Sequence, residues 1–360
     1  MKRRPDLDAL VLKHRLLDNA IETNRDQFLS DWNCDNPLIE QLLGRELSSL
    51  IRGGRLRDSY IYFDEDESLL ESIRNFHSQA EGLALSHNNI VAGPGSSSFL
   101  AAFAIWLRRC GYTDVYYIPP LYHTFYYLLE SLDINVTPVA TLHAYEAQYS
   151  MNLPSHHSVL LMCDPVWYAG RCVPMAQIST IADWQRATRS LVFVDGSFQY
   201  MKWSQERSER TAALDPELTF RLVCPAKALA VPFFRFAYLL HPSSTHDDLV
   251  FLYESTVGGA SASDLAFARR ALNVLTASDS INRLMPDYFR SVYYALVERE
   301  LIRTTIIPEC GYFVFAIPQV PSDLPLMDQS YFELQGYPGY GRINLMAARR
   351  IYGLEMAGKQ

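Results

Sequence analysis

Between residues 89 and 240 the chain repeats one alternation. Short runs of β-branched or apolar residues are each followed by a turn and then by a longer stretch with apolar positions at helical spacing. The runs are NIVAG, DVYYI, SVLLMC, LVFVD, RLVC and FAYLL, with a further short strand near Val136-Thr137. Strands covered on both faces read as continuous apolar runs, so the pattern predicts a mostly parallel central sheet with helices on both sides. Ahead of it, ESLLESIRNFHSQAEG carries apolar residues at helical spacing, and so does a stretch around Ile178 to Arg189. Past residue 250 the pattern changes. Long helical stretches (DLAFARRALNVL, PDYFRSVYYALVERELI) precede the short strands GYFVFAI and GRINLM, which reads as a smaller α+β domain. The expected division is an N-terminal arm that is also part of the small domain (1–45), a large domain (46–248) and a C-terminal small domain (249–360).

Composition narrows the function classes. The 360 residues are 49% hydrophobic and 20% charged, with a formal net charge of −8, so the basic surplus of a nucleic-acid binder is missing. The N-terminal stretch is charged and interrupted and lacks the apolar core of a signal peptide. The most apolar segment, Leu222 to Leu240, contains Pro225, Lys227, Pro232 and Arg235, and reads as buried interior rather than a membrane span. Six cysteines without CxxC pairs suggest neither a zinc site nor a disulfide framework. Reduced thiols in a cytoplasm, and no metal, are expected.

Lysine usage points toward chemistry. Only Lys2, Lys13, Lys202, Lys227 and Lys359 are present among 32 basic residues, and only Lys227 lies inside a long apolar run. A buried ammonium is costly, so such a lysine is paired, deprotonated or chemically used. Four other features fall where strands end, the usual place for ligands in an open parallel sheet. Gly95-Ser96-Ser97-Ser98 lies between a strand and a helix, where backbone N–H groups and hydroxyls can cradle a phosphate, although taken alone such a stretch is more often a plain turn. Tyr122, after a strand, offers a ring to a flat ligand or simply packs. Asp195 ends LVFVD and is either functional or a turn residue. Arg235, among apolar neighbours, wants an anion such as phosphate, unless it and Lys227 serve structural ion pairs. Together these residues match the needs of pyridoxal 5′-phosphate (PLP). The lysine forms a Schiff base, the acid keeps the pyridine nitrogen protonated, and the ring becomes an electron sink.

With these residues in place the chain resembles fold-type I PLP enzymes, the class I/II aminotransferases near histidinol-phosphate aminotransferase and threonine-phosphate decarboxylase. The resemblance runs from Asn33 to Arg342. The segment Trp32-Asn33-Cys34-Asp35-Asn36-Pro37 is similar to the family's Asn-Glu-Asn-Pro stretch, and Gly341-Arg342-Ile343-Asn344 to its C-terminal arginine motif. It implies that Arg342 grips the substrate carboxylate, with Asn33 beside it. It also implies that Gly95, Ser96, Ser97 and Arg235 hold the cofactor phosphate, and that Tyr122 stacks on the ring. Tyr62 would reach the cofactor of a neighbouring subunit, which implies a homodimer with a shared site. Trp167-Tyr168-Ala169-Gly170 stands where the family has Asn-Pro-Thr-Gly, Phe198 where it has tyrosine, and Cys224 where it has serine or threonine. The usual donors to the cofactor's phenolic oxygen are therefore missing, and Trp167, Tyr168 or Tyr200 are the candidates to replace them.

Three functions follow. The first is a PLP-dependent aminotransferase acting on an amino acid through Lys227, with Asp195 and Tyr122 at the ring. The second keeps the cofactor but runs decarboxylation, elimination, cyclisation or oxidation in a specialised biosynthetic pathway, as the altered phenolate environment suggests. The third is a non-catalytic binding or regulatory protein, against which Lys227 and Asp195 both stand.

Overall fold

The structure is a computed structural model that describes residues 5–32, 36–44, 62–143, 145–146, 149–278, 280–319 and 326–354. The predicted runs form one seven-stranded sheet. Its strands are β1 (Ile90–Gly93), β2 (Asp114–Tyr117), β3 (Asn135–Pro138), β4 (Val159–Cys163), β5 (Leu191–Gly196), β6 (Thr219–Val223) and β7 (Ala237–Leu240), in the order β1-β7-β6-β5-β4-β2-β3. The strands from β6 to β3 pair in parallel, whereas β7 runs antiparallel to both β6 and β1. Every residue of β1, β4, β6 and β7 is buried, as continuous apolar runs require. Two antiparallel pairings leave β1 pointing the same way as β6, so the carboxyl ends of all strands except β7 reach one edge of the sheet. The reversed β7 begins at that same edge.

Helices close both faces. α1 is Pro5–Thr23, α2 Ile39–Leu43, α3 Glu67–Glu81, α4 Ser96–Arg109, α5 His123–Ser131 and α6 Met175–Thr188. α3 starts where the Asp66 carboxylate accepts the Leu69 N–H and stops at Gly82, whose φ is +70°. It is tied to the sheet through buried charge. Arg221 on β6 meets Glu81 with Nη2–Oε2 2.5 Å and Nη1–Oε1 2.9 Å. Glu81 also accepts from the Tyr200 hydroxyl at 3.0 Å and lies 2.9 Å from His77 Nδ1. Burial opposes ionisation of Glu81, but the Arg221 charge and the His77 hydrogen bond hold its carboxyl well below the ordinary range.

After β6 come α7 (Pro225–Ala228), α8 (His246–Val257) and α9 (Ala262–Thr276). The expected division at 248/249 falls inside α8, which packs on α4, with Tyr253 stacked on Phe99 at 4.3 Å. α9 packs on α3, and Arg269 pairs with Asp66. The chain then adds α10 (Leu284–Glu298) and a second, antiparallel sheet. That sheet comprises β8 (Ile302–Arg303), β9 (Phe313–Pro318), β10 (Met327–Asp328) and β11 (Gly341–Asn344), ordered β10-β11-β9-β8, and α11 (Leu345–Ile351) follows. The segment ahead of Trp32 is hydrogen-bonded to this sheet. Leu29 O accepts from Asn344 N at 2.7 Å, Ser30 Oγ donates to Arg342 O at 2.5 Å, and Asp31 O accepts from Asn344 Nδ2 at 2.7 Å. No helix among the described residues is long and apolar enough to cross a membrane.

Candidate active site

A cavity of about 180 Å³ opens at the edge of the large sheet where the parallel strands end. Its position follows from topology: ligands in open α/β sheets sit beyond the carboxyl ends of the strands. The cavity is lined by Ser96 and Ser97 after β1, Tyr122 after β2, Cys163 and Trp167 at and after β4, Asp195 and Phe198 at and after β5, and Lys227 after β6. Arg235 joins them from the start of the reversed β7, and Trp32 and Tyr312 close the side toward the small sheet. Eight of the residues singled out in the sequence therefore meet in one space: Ser96, Ser97, Tyr122, Trp167, Asp195, Phe198, Lys227 and Arg235.

One end is shaped for an anion. Gly95 precedes α4 with φ +87°, a conformation that side chains rarely adopt, and an ideal Cβ there would lie 2.5 Å from Nη2 of Arg235 and 2.8 Å from its Cζ. Two hydroxyls, the first N–H groups of a 14-residue helix and a guanidinium thus converge. Arg235 itself is exposed rather than buried among apolar residues. Pro232 opens the apolar run into a loop, Phe233 faces solvent, and only the tip of Arg235 returns to the cavity. Ser98 Oγ donates to Gly95 O at 2.7 Å and lies 2.8 Å from the Tyr253 hydroxyl, which fixes the turn from behind.

The opposite wall carries the acid and the amine. Asp195 is buried at the end of β5, and its Oδ1 accepts the Ser197 N–H at 3.1 Å. Lys227 is half-buried, and its Nζ lies 4.8 Å from the centroid of the Phe198 ring. Among the described residues Nζ makes no hydrogen bond or ion pair, so the structural ion pair that the sequence left open is not formed there. Cys163 lies close to both; burial and the Asp195 charge push its thiol well above its ordinary pKa.

Other sequence candidates lie outside the cavity wall. Cys224 is buried behind Lys227, with Sγ 3.6 Å from Phe236 O. Tyr62 is half-buried ahead of a short 3-10 turn, its N–H 3.2 Å from Glu65 Oε2. Asn33 lies outside the described residues. Of the three substitutes for the missing phenolate donors, only Trp167 lines the cavity, and its indole Nε1 is buried without a partner. Tyr168 is engaged with His143 at 3.0 Å, and Tyr200 with Glu81.

Arg342 is fully buried on β11 and does not line the cavity. The Trp32 ring covers it, with its centroid 3.5 Å from the guanidinium carbon, and the Phe313 centroid lies 4.5 Å away. Nη2 donates to Ser30 O, while Nε and Nη1 have no partner among the described residues. Burial, offset only in part by the charge of Asp18, lowers the guanidinium pKa to about 9. Trp32, Tyr312 and Cys163 went unremarked as site residues in the sequence. Tyr312 directly precedes a β9 that was foreseen, and Trp32 opens the quoted Asn-Pro segment, so both positions were readable but their roles were not.

A profile of the family described as Aminotransferase class I and II matches residues 30–283. None of the curated proteins matches the chain in sequence. Solved structures share its fold at low identity. The N-succinyldiaminopimelate aminotransferase from Mycobacterium tuberculosis has a TM-score of 0.74 at 14% identity, covering 94% of this chain and 95% of its own. A double mutant of Thermus thermophilus aspartate aminotransferase gives 0.74 at 14% identity, over 98% and 96%. An Escherichia coli protein with a methionine aminotransferase function gives 0.71 at 15% identity, over 97% and 96%.

Proposed function

Because the chain belongs to the class I and II aminotransferase family, PLP-dependent enzymes of fold type I, we propose that Lys227 and Asp195 carry an aminotransferase reaction on an amino acid bound in this cavity. The observation that carries the reading is the uncommitted Lys227 amine sharing one cavity with a buried strand-end carboxylate. The residues present fit PLP. Gly95, Ser96, Ser97 and Arg235 would hold its phosphate in a cradle that a β-carbon would fill, and Asp195 would pair with the pyridine nitrogen. Tyr122 would pack against the ring, Phe198 lines the pocket beside Lys227, and Trp167 would offer its orphaned indole N–H. When bound, the cofactor supplies an electron sink for the bond broken at the substrate α-carbon.

The chain's own residues do the rest. Lys227 would hold the cofactor through its aldehyde and, once the substrate amine has taken its place there, its freed amine would move the proton at the α-carbon. Asp195 keeps a positive charge opposite its carboxylate. Cys224 acts from behind Lys227 by packing. Arg342 receives the substrate carboxylate, with Asn33 assigned to the same end by resemblance alone. Tyr62 is assigned to a neighbouring subunit's cofactor phosphate, which makes the working enzyme a homodimer.

Reductive trapping tests the reading: PLP is added, the protein is reduced with borohydride and the peptides are weighed. The label is expected on Lys227; a label on Lys202 or Lys13, or none, overturns it. One observation favours a second reaction type on the same residues. Phe198 and Trp167 stand where the family's phenolate donors belong, which suits decarboxylation, elimination, cyclisation or oxidation. Transfer of the amino nitrogen from the amino acid to an added keto acid supports transamination, whereas turnover of the amino acid without that transfer supports the second reading.

A further inference from the structure

Arg342 carries the charge assigned to the substrate carboxylate, yet no part of it reaches solvent and the cavity wall in front of it is Trp32. Its Nε and Nη1 are buried without acceptors among the described residues. A buried cation with part of its N–H groups unpaired is expensive, and an anion arriving from outside relieves the deficit. The backbone leading to Trp32 is fixed, because Leu29, Ser30 and Asp31 are each hydrogen-bonded to β11. The indole is held by side-chain contacts alone, and Tyr122 and Phe313 meet its ring edge-on at 6.4 and 5.8 Å. Its Nε1 donates to Asp18 Oδ1 at 2.8 Å, and its ring lies 5.5 Å from Trp167 at an interplanar angle of 25°. The side chain can therefore leave Arg342 while the segment that carries it stays docked.

From this geometry we propose that Trp32 is a specificity-determining residue: its indole seals Arg342 in the resting enzyme, and a substrate carboxylate reaches the guanidinium only by displacing it. The inference rests on Arg342 being the carboxylate anchor. The seal acts as a filter. A ligand with an anionic end gains the Arg342 N–H groups in exchange for the indole, whereas a neutral ligand gains nothing and leaves the seal shut. Asp18 is the latch, since its carboxylate holds the indole N–H.

The test uses the PLP-loaded protein and calorimetric titration with 3-phenylpropionate and with its neutral isostere 3-phenylpropanamide. The seal makes Trp32→Ala bind the acid about tenfold more tightly than wild type, as when a minor open state becomes the resting one, while the amide is unmoved. Asp18→Ala keeps the ring and removes the latch, so it shifts the acid in the same direction by a smaller factor, about threefold. If Trp32→Ala weakens the acid instead, the indole is a permanent platform for the guanidinium and the seal is wrong. Equal affinity for the acid in wild type and both variants also overturns it. Arg342→Gln separates the two readings. Loss of the preference for acid over amide keeps Arg342 as the anchor whatever Trp32 does, whereas persistence of that preference removes the anchor itself. Borohydride labelling of Lys227 reports the cofactor assignment independently of either.

Discussion

The guanidinium of Arg235 occupies the space that a side chain at Gly95 would need, with Nη2 and Cζ 2.5 and 2.8 Å from an ideal Cβ. The φ of +87° favours glycine, and a β-carbon there would make the guanidinium shift. Gly95→Ala should push Arg235 off the phosphate position and strain the turn by about 1 kcal/mol. Loss of one charge-assisted hydrogen bond, roughly 1.5–3 kcal/mol, predicts a rise of at least about tenfold in the Kd for PLP. Equilibrium dialysis measures it, and circular dichroism checks that the fold survives. An unchanged Kd would show that no phosphate lies between these two residues.

Asp195 matters through charge rather than shape. Asp195→Asn keeps the volume and can still accept the Ser197 N–H that Oδ1 accepts now, but it cannot balance a protonated ring nitrogen. A charge-assisted hydrogen bond lost from the reacting state predicts a kcat about a hundredfold lower with PLP still retained. The ratio of bound PLP to protein, taken with the steady-state rate, separates this from simple cofactor loss. A variant with wild-type kcat would place the pyridine nitrogen elsewhere.

Much of this site was legible because it lies on sheet geometry. Strands buried on both faces announce themselves as apolar runs, and their ends locate Ser96, Tyr122, Asp195 and Lys227 without further information. The reversal of β7 was not legible, since AYLL reads alike in either direction. That reversal brings Arg235 to the cavity from an exposed loop instead of the apolar run that contains it. The cover over Arg342 was hidden for a different reason: stacking between a ring at 32 and a cation at 342 leaves no periodic trace. The uncommitted amine of Lys227 likewise depends on which side chains fail to reach it.

The Glu81–Arg221 pair should show its weight in stability rather than catalysis. It lies under α3, away from the cavity, with side chains 0% and 4% exposed. Glu81→Gln leaves Arg221 buried with no carboxylate, a change that typically costs about 3–5 kcal/mol. Chemical denaturation should report a loss of that order, with the midpoint moving and the slope unchanged. PLP binding at temperatures where the variant is folded should match wild type. A neutral effect on stability would mean that His77 and Tyr200 compensate within the same cluster.

Asp164 makes stability depend on pH in the opposite sense to an ordinary salt-bridged acid. It is 1% exposed; Oδ1 accepts the Val173 N–H at 2.8 Å, and Oδ2 has no partner among the described residues. Burial raises its pKa from 3.8 to about 6, against the pull of that hydrogen bond and of Arg210 and Lys202. The folded state therefore holds this proton more tightly than the unfolded chain does. The stability it contributes is complete below about pH 4 and is lost as pH rises through about 6. Asp164→Asn keeps the acceptor for Val173 and removes the charge, so its penalty is the same at every pH. Relative to wild type the variant should gain on the order of 2–3 kcal/mol between pH 4 and pH 7. Urea titrations of both proteins across that range would show the two stability curves converging or crossing. Curves that stay parallel would mean that Asp164 is ionised in the folded protein throughout, with a counter-charge nearer than Arg210 or Lys202.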